Sequence, residues 1–535
     1  MIRSSTALMV FALVLGVPSV SHALTCGETI TADTTLTADL AGCGLYGLVV
    51  GADNVVLDCD GHAITAETLH SAPVAGIRLV GRSGVTVKNC RVSNFIVGID
   101  ATSSSFNTFE QNTITASDYG VSLMGSPGNE VSGNAITGSK YLNVRIENSD
   151  WNTVESNTLT DSSTGTGIGL TESGSNLLSG NTLTGNRYAG VTIYGGELNV
   201  IQNSSITGNG TSASGYGIFI ANSLSNAVHH NTITGNLGFG VHLGGANASS
   251  VHHNKLFSNR LDLSSDNSSG TDLTLNYFGG ALTCASKARF SGLVLAQLAP
   301  YYLDAAMTDP ATGQAPNCPL SCGDLVGGNP GDVITLTQNL TSCPGIGLQV
   351  VSDDIVLDCN GRSITGSASS FAGITLTGNR GVTVKNCTMS GFASGIYATS
   401  VASTTIENNS ISGSRSIGVM VYGSQSSTLR NNTVTGGAST GVTVMVSSSI
   451  ALVGNTITGN SGGGVSLASA DDNVINRNRL LSNQAYDLSN ASSDGNDFTL
   501  NYFGGPLGCA DKPRFKGVAL SQLCLLYTSP SPRDS

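Results

Sequence analysis

The string Val-His-His-Asn occurs twice, so His229-His230 and His252-His253 carry the same neighbours 23 residues apart. Five of the eight histidines fall between His229 and His253. Neutral imidazole nitrogens are ligands for Cu²⁺ and Zn²⁺. His229, His230, His252 and His253 are therefore candidate metal ligands. A closed site would want a carboxylate or thiolate as well, and neither string supplies one. The competing reading is a repeating surface whose histidines titrate freely. The choice rests on what a 23-residue interval means.

The interval runs through much of the chain. The apolar residue after each Asn-x recurs as Val92, Ile114, Ile136, Leu159, Leu183, Ile206, Ile233 and Leu256, in steps of 22 to 24 residues with a single step of 27. A second series, Gly-Ile-x-Leu in type, starts at Gly76, Gly98, Gly120, Gly167, Gly190, Gly217 and Gly240, with Asn143 standing in one glycine position. A third runs through Val87, Phe109, Val131, Val154, Leu178, Val200, Val228 and Val251. Each interval holds three short segments of alternating apolar and polar residues, separated by Gly, Asn and Ser. Three strands per turn predict an all-β, parallel β-solenoid, each coil stacked on the last at about 4.8 Å. His229 should then stack on His252, and His230 on His253.

Asn112, Asn134, Asn157, Asn181, Asn231 and Asn254 recur one coil apart at a turn. A side-chain amide carries donors and an acceptor, so stacked amides can bond along the axis. These residues are assigned a structural role.

The chain is also a tandem duplication. "GVTVKNCRVSNF" returns as "GVTVKNCTMSGF", and "TDLTLNYFGGALTCASKARF" returns as "NDFTLNYFGGPLGCADKPRF". Cys26, Cys43, Cys59, Cys90 and Cys284 correspond to Cys322, Cys343, Cys359, Cys387 and Cys509. The duplication leads us to expect Cys26–Cys43 and Cys322–Cys343 at the N-terminal caps and Cys59–Cys90 and Cys359–Cys387 between adjacent coils. Cys318 has no counterpart and is available to Cys284. Spacing alone does not fix connectivity. No CxxC pair favours a metal–thiolate site.

Arg3, the apolar run Leu8–Val17 and Ser21-His22-Ala23 read as a secretory signal peptide over residues 1–23. The expected organisation is a first β-helix domain over 24–298, a linker over 299–320 and a second β-helix domain over 321–523. Cys524–Ser535, "CLLYTSPSPRDS", breaks the repeat, resembles a translated sequencing adapter and is set aside. A partner for Cys509 is expected in the chain it replaces. Export to the periplasm, cell surface or medium accords with twelve cysteines read as disulfides. A net charge of −12 with 23 Lys and Arg argues against nucleic acid as a partner. No segment after the signal is apolar for long enough to span a bilayer.

"NTITGN", "NTLTGN", "GVTVKNC" and "NYFGG" resemble the right-handed parallel β-helix repeats of the pectin-lyase-like superfamily, and within it the CASH-type coils of NosD-like periplasmic copper-binding and surface sugar-active proteins. The resemblance covers residues 26–523 and implies that the Gly-Ile-x-Leu segment is the first strand of each coil, whose outer face often carries the site. On that face a lyase or epimerase would need a base, with cations or Ca²⁺ to stabilise developing charge. Asp100, Arg145 and Glu147 are the charges there with approximately the right grouping, although Asp100 and Arg145 are two coils, about 9.6 Å, apart. Solvated surface charge is the competing reading. Tyr194, Phe219 and His242, with Tyr397 and Tyr422 in the second copy, offer outward rings that could bury the apolar face of a sugar. Ordinary cross-strand packing is the alternative.

Three functions follow from these residues. The leading expectation is a non-catalytic exported module that binds a polysaccharide or cell-surface glycan, or serves as a surface or structural module. The second is a polysaccharide lyase, epimerase or hydrolase with its site on the first strand. The third is a NosD-like copper-handling accessory protein that holds Cu or Zn.

Overall fold

The computed structural model describes residues 24–67, 74–211, 214–307, 315–316 and 318–523. The expected signal peptide and the adapter-like Cys524–Ser535 lie outside the described residues. The chain divides into two compact units, one ending at Asp272 and the other beginning at Leu273.

In the first unit, six-residue strands such as Ala75–Val80, Val97–Thr102 and Tyr119–Met124 build a first sheet. Three-residue strands such as Thr86–Lys88 and Thr108–Glu110 build a second, and Arg91–Ser93 and Thr113–Thr115 belong to a third. The pairings are parallel, and the second and third sheets each take every third strand in chain order, with ten strands apiece. This is the three-sheeted parallel β-solenoid expected from the repeat. The second unit repeats it, with seven strands in each of its second and third sheets.

Alternation along each strand fills the interior. Ile77, Ile99, Val121, Val144 and Ile168 stack one coil apart with none of their surface exposed. Each such side chain contributes about 2 kcal/mol by leaving water. One register differs from the sequence expectation. Leu178 pairs with Ile201 and Ile201 with Val228, so Ile201 fills the core. Val200 pairs with Leu177 outside it. Two adjacent β-branched residues made the period ambiguous by one position.

Turns are fixed by amides. Asn112 Nδ2 donates to Asn134 Oδ1 over 3.0 Å, and Asn134 to Asn157 and Asn157 to Asn181 over the same distance. Ser204 occupies the next step, and Asn231 then donates to Asn254. Two further ladders went unrecognised in the sequence. Asn107, Asn129, Asn152, Asn176, Asn199 and Asn226 line the turn between the first and second sheets. Asn186, Asn209, Asn236 and Asn259 line the turn leading back to the first sheet, and Asn259 Nδ2 donates to the buried Asp262 carboxylate over 3.0 Å.

The glycine of the repeat is a close-approach position. A Cβ on Gly98 would lie 2.6 Å from the Gly120 carbonyl oxygen and 2.5 Å from Ile114 Cγ2. Disulfides join Cys26 to Cys43 and Cys59 to Cys90 in the first unit. In the second they join Cys284 to Cys318, Cys322 to Cys343 and Cys359 to Cys387. Cys509 is an exposed thiol. No helix among the described residues is long and apolar enough to cross a membrane.

Candidate functional site

The outer face of the first sheet in the first unit carries its chemistry in columns one coil apart. Arg78 pairs with Asp100, Asp100 with Ser122 and Ser122 with Arg145. Farther along, Thr192 pairs with Phe219 and Phe219 with His242. The neighbouring outward column runs through Thr102, Met124, Glu147, Thr171 and Tyr194.

At the charged end, Asp100 and Arg145 are not brought together. Asp100 Oδ2 lies 3.7 Å from Arg78 Nε, and Thr102 Oγ1 donates to Asp100 Oδ1 over 2.8 Å. Burial pushes the Asp100 carboxyl above its usual range, opposed by the Thr102 hydrogen bond and by the guanidinium groups of Arg78 and Arg145. Arg78 Nη1 donates to the Tyr46 hydroxyl over 2.7 Å, and its guanidinium covers that ring. Arg145 turns instead to Glu147, donating from Nε to Oε2 over 3.0 Å and also from Nη2, while it lies over Tyr119. The expected trio is thus divided between two guanidinium–carboxylate pairs. Asp100 and Glu147 are two coils apart, about 9.6 Å along the axis. That is well beyond the roughly 5 Å of a retaining glycosidase pair.

Small residues, among them Gly169, Ala189 and Thr192, separate this end from an aromatic one. There the rings pack into one cluster. Tyr216 stacks on Phe239 at 5.2 Å with planes 14° apart, and on Phe219 at 4.7 Å with planes 27° apart. Phe219 stacks on His242 at 5.2 Å and 24°. Tyr194 meets Phe219 edge-on at 5.2 Å, and Tyr188 meets Tyr216 at 5.5 Å. The Tyr188 and Tyr194 hydroxyls are 3.4 Å apart, and both side chains are exposed. Burial, with the Tyr194 hydroxyl beside it, pushes the Tyr188 hydroxyl well above its usual range.

His242 is the polar group within the cluster. Burial holds its imidazole below the ordinary histidine range, with Asp266 opposing. Its buried Nδ1 lies 3.9 Å from Asp266 Oδ2, too far for a hydrogen bond. Gly244 leaves room beside it, because a Cβ there would come within 3.3 Å of His242 Nε2.

Tyr194, Phe219 and His242 were legible as outward residues of the Gly-Ile-x-Leu strand. Tyr188, Tyr216 and Phe239 were not. Tyr216 and Phe239 immediately precede the repeat glycines Gly217 and Gly240, and that position is itself an outward column. Reading the residue before each glycine would have found both. In the second unit Tyr397 packs on Phe371 at 4.9 Å, and Tyr422 is exposed one coil on, in the neighbouring column.

The four candidate metal ligands lie elsewhere, on and beside the second sheet. His229 pairs in register with Gln202 and His252, and the rings of His229 and His252 stack at 5.4 Å. His230 stacks on His253 at 5.2 Å. Among the described residues, no group of three or more His, Cys, Asp or Glu side chains is disposed to hold one metal ion.

Among solved structures, the chain is similar to DFA-IIIase from Arthrobacter chlorophenolicus A6 in complex with GF2, at 12% identity over 44% of this chain and 67% of that one, with a TM-score of 0.36. It is similar to a mutant of the periplasmic alginate epimerase AlgG at 10% identity over 78% and 76% of the two chains, with a TM-score of 0.22. A third likeness is the enzymatically active domain of bacteriophage CBA120 tailspike protein 2, at 10% identity over 55% and 38%, with a TM-score of 0.22. A comparison with curated proteins gives no match. The family model of the periplasmic copper-binding protein NosD matches residues 162–283. That of the right-handed β-helix region matches residues 53–197 and 344–511, more than half of the chain, and the chain belongs to this family.

Proposed function

We propose that the protein is an exported carbohydrate-binding module that takes a neutral glycan on the aromatic end of the first sheet. The observation that carries this reading is the stack of Phe239, Tyr216, Phe219 and His242, rimmed by the exposed Tyr188 and Tyr194. Exposed aromatic rings bury the C–H face of a sugar, while hydroxyl groups at the rim meet its hydroxyls. Burial favours the neutral form of His242, whose Nδ1 is closed off from solvent. Asp266 beside the cluster and the net charge of −12 disfavour a polyuronate at this end. Five disulfides accord with an oxidising compartment outside the cytosol.

Affinity electrophoresis of the full chain through gels containing neutral or uronate polysaccharides tests this. Retardation is expected in at least one neutral glycan. Tyr194→Ala/Tyr216→Ala should weaken it about ten-fold or more, since each aromatic contact is worth roughly 0.5–1.5 kcal/mol. Equal retardation of the variant would overturn the assignment of the site. New reducing or unsaturated ends in the glycan would overturn binding without cleavage.

A further inference from the structure

One column of turn residues departs from the rest of the surface. Between the first and second sheets, the residue just before the ladder position takes a left-handed conformation, with φ from 49° to 71°. In the first unit this column reads Phe106, Gly128, Trp151, Ser175, Leu198 and Ser225. The backbone keeps it in step: the Phe106 amide donates to the Pro127 carbonyl, Gly128 to Asp150, Trp151 to Gly174 and Leu198 to Leu224. In the second unit the same column reads Ser403, Ser426, Ser449 and Asp472.

Glycine adopts a left-handed turn without strain, whereas a bulky side chain there is an outlier. Phe106, Trp151 and Leu198 are nevertheless 71%, 67% and 55% exposed, so none of them gains by filling the core. Strained backbone that persists in this way points to function. The three alternate with small residues, one bulky side chain on every second coil, about 9.6 Å apart. A shared φ of 57° aims their Cβ atoms alike. The Phe106 ring takes the space above Gly128, where a Cβ would come within 2.7 Å of it. Exposed apolar side chains are ordinary when they stand singly, but a line of them marks a binding surface.

We propose that Phe106, Trp151 and Leu198 form a ridge that holds an extended, neutral β-1,4-linked glycan chain parallel to the solenoid axis. Successive sugars of such a ribbon face opposite ways, so the same apolar face returns at every second sugar, a spacing close to two coils. Each bulky side chain then meets the C–H face of one sugar. The small residues between leave clearance for the sugar turned the other way. Charge favours a neutral polymer. The residues that precede the column, from Ser105 to Leu224, include two carboxylates, Asp150 and Glu197, and no cation. Those carboxylates can accept from sugar hydroxyls and would repel a polyuronate. The ridge lies on a turn and needs nothing from the rings around Tyr216, so it is a second contact line that does not rest on the first.

Trp151 is the single tryptophan of the chain, so its fluorescence reads the ridge alone. Cellohexaose or N-acetylchitohexaose added to the full chain should shift its emission to shorter wavelength. Microcrystalline cellulose or chitin should retain the protein, and the two polymers separate a glucose ribbon from an N-acetylglucosamine one. Serine already stands in this column at Ser175, Ser225 and Ser403, so Phe106→Ser/Trp151→Ser/Leu198→Ser should fold as the parent does. Its retention should fall about ten-fold or more. Tyr194→Ala/Tyr216→Ala, which disrupts the first-sheet cluster, should leave the Trp151 response unchanged. No emission shift with either oligosaccharide, equal retention of the serine variant, or loss of the response in Tyr194→Ala/Tyr216→Ala overturns the proposal. So does a concentration-dependent dimer that the serine variant abolishes, because the ridge would then serve a second copy of the chain.

Discussion

Asn143 Nδ2 donates to Asn186 Oδ1 over 3.0 Å, joining two exceptions to the repeat in one interaction. Asn143 stands where other coils have glycine, and Ser162 stands where the amide ladder has asparagine in later coils. The side chain of Asn143 reaches across and supplies the missing rung, donating also to the Thr160 carbonyl. Its own Oδ1 remains buried without a hydrogen-bond partner. Asn143→Gly should therefore cost about 1–2 kcal/mol, the usual effect of losing a buried hydrogen bond. Ser162→Asn should be unfavourable alone but restore stability in the Asn143→Gly background, because both amides seek the same acceptor. Urea unfolding of the four proteins measures the coupling, and simple additivity would show that Asn143 is not the rung.

The glycine column yields a second expectation. A methyl group on Gly98 would press on the backbone carbonyl of Gly120, which cannot rotate away. Gly98→Ala should destabilise the first unit by about 2–3 kcal/mol through overpacking. Gly61→Ala is a useful contrast: it meets nothing within 4 Å, and its cost comes from a φ of 79° alone. Thermal melts that rank Gly61→Ala as the more damaging change would contradict the close-approach argument.

In the second unit Arg514 Nε donates over 2.6 Å to Asp487, whose side chain is only 2% exposed. Arg514→Ala would leave that carboxylate buried and unpaired, at a cost of about 3 kcal/mol. Arg514→Met/Asp487→Asn, which removes both charges, should recover much of it. Chemical denaturation distinguishes the two, and equal destabilisation would mean that the charge pair is not what matters.

Asp100 gives a pH dependence of unusual sign for a carboxylate. Its folded carboxyl is raised, chiefly by burial, so the native state takes up the proton more readily than the unfolded chain. Its contribution to stability is greatest below the ordinary carboxylate range and declines as pH rises toward the raised folded value. Asp100→Asn carries no such titration. The stability of the parent relative to Asp100→Asn should fall as pH rises above about 4, and a flat or rising difference would reject the assignment.

The coil, its three strands and one amide ladder were legible because a 22- to 24-residue period fixes them many times over. What escaped depended on neighbours that the period does not specify. The Asn107 series was hidden because Asn also recurs at the next turn, and the Asn186 series because serine and glycine replace it in several coils. Tyr216 and Phe239 escaped because attention fell on the residue after Gly-Ile, although the residue before the glycine faces the same way. Asp100 could be placed on its face from sequence. That Arg78, one coil away, takes its carboxylate rather than Arg145 depends on side-chain reach across Ser122. The edge-to-face pairing of His229 with His230, and of His252 with His253, depends on a left-handed turn residue, which two adjacent histidines do not announce.

From amide to amide the bonds of these ladders all run one way, each Asn donating to the one in the coil that follows while its other N–H holds a carbonyl of the coil before. Such a one-way relay needs a receiver that does not pass the bond on. An aspartate fits one ladder in each unit: Asp262 ends the Asn186 series of the first, and Asp487, bonded to Asn483 over 2.9 Å, ends the corresponding series of the second, whereas Asn501 ends a neighbouring ladder on the carbonyls of Ile475 and Phe498. A carboxylate accepts and has nothing to give, so it works as a stop codon works in a message. The second sheets have ten strands in one unit and seven in the other, yet this column ends on the same residue type in both.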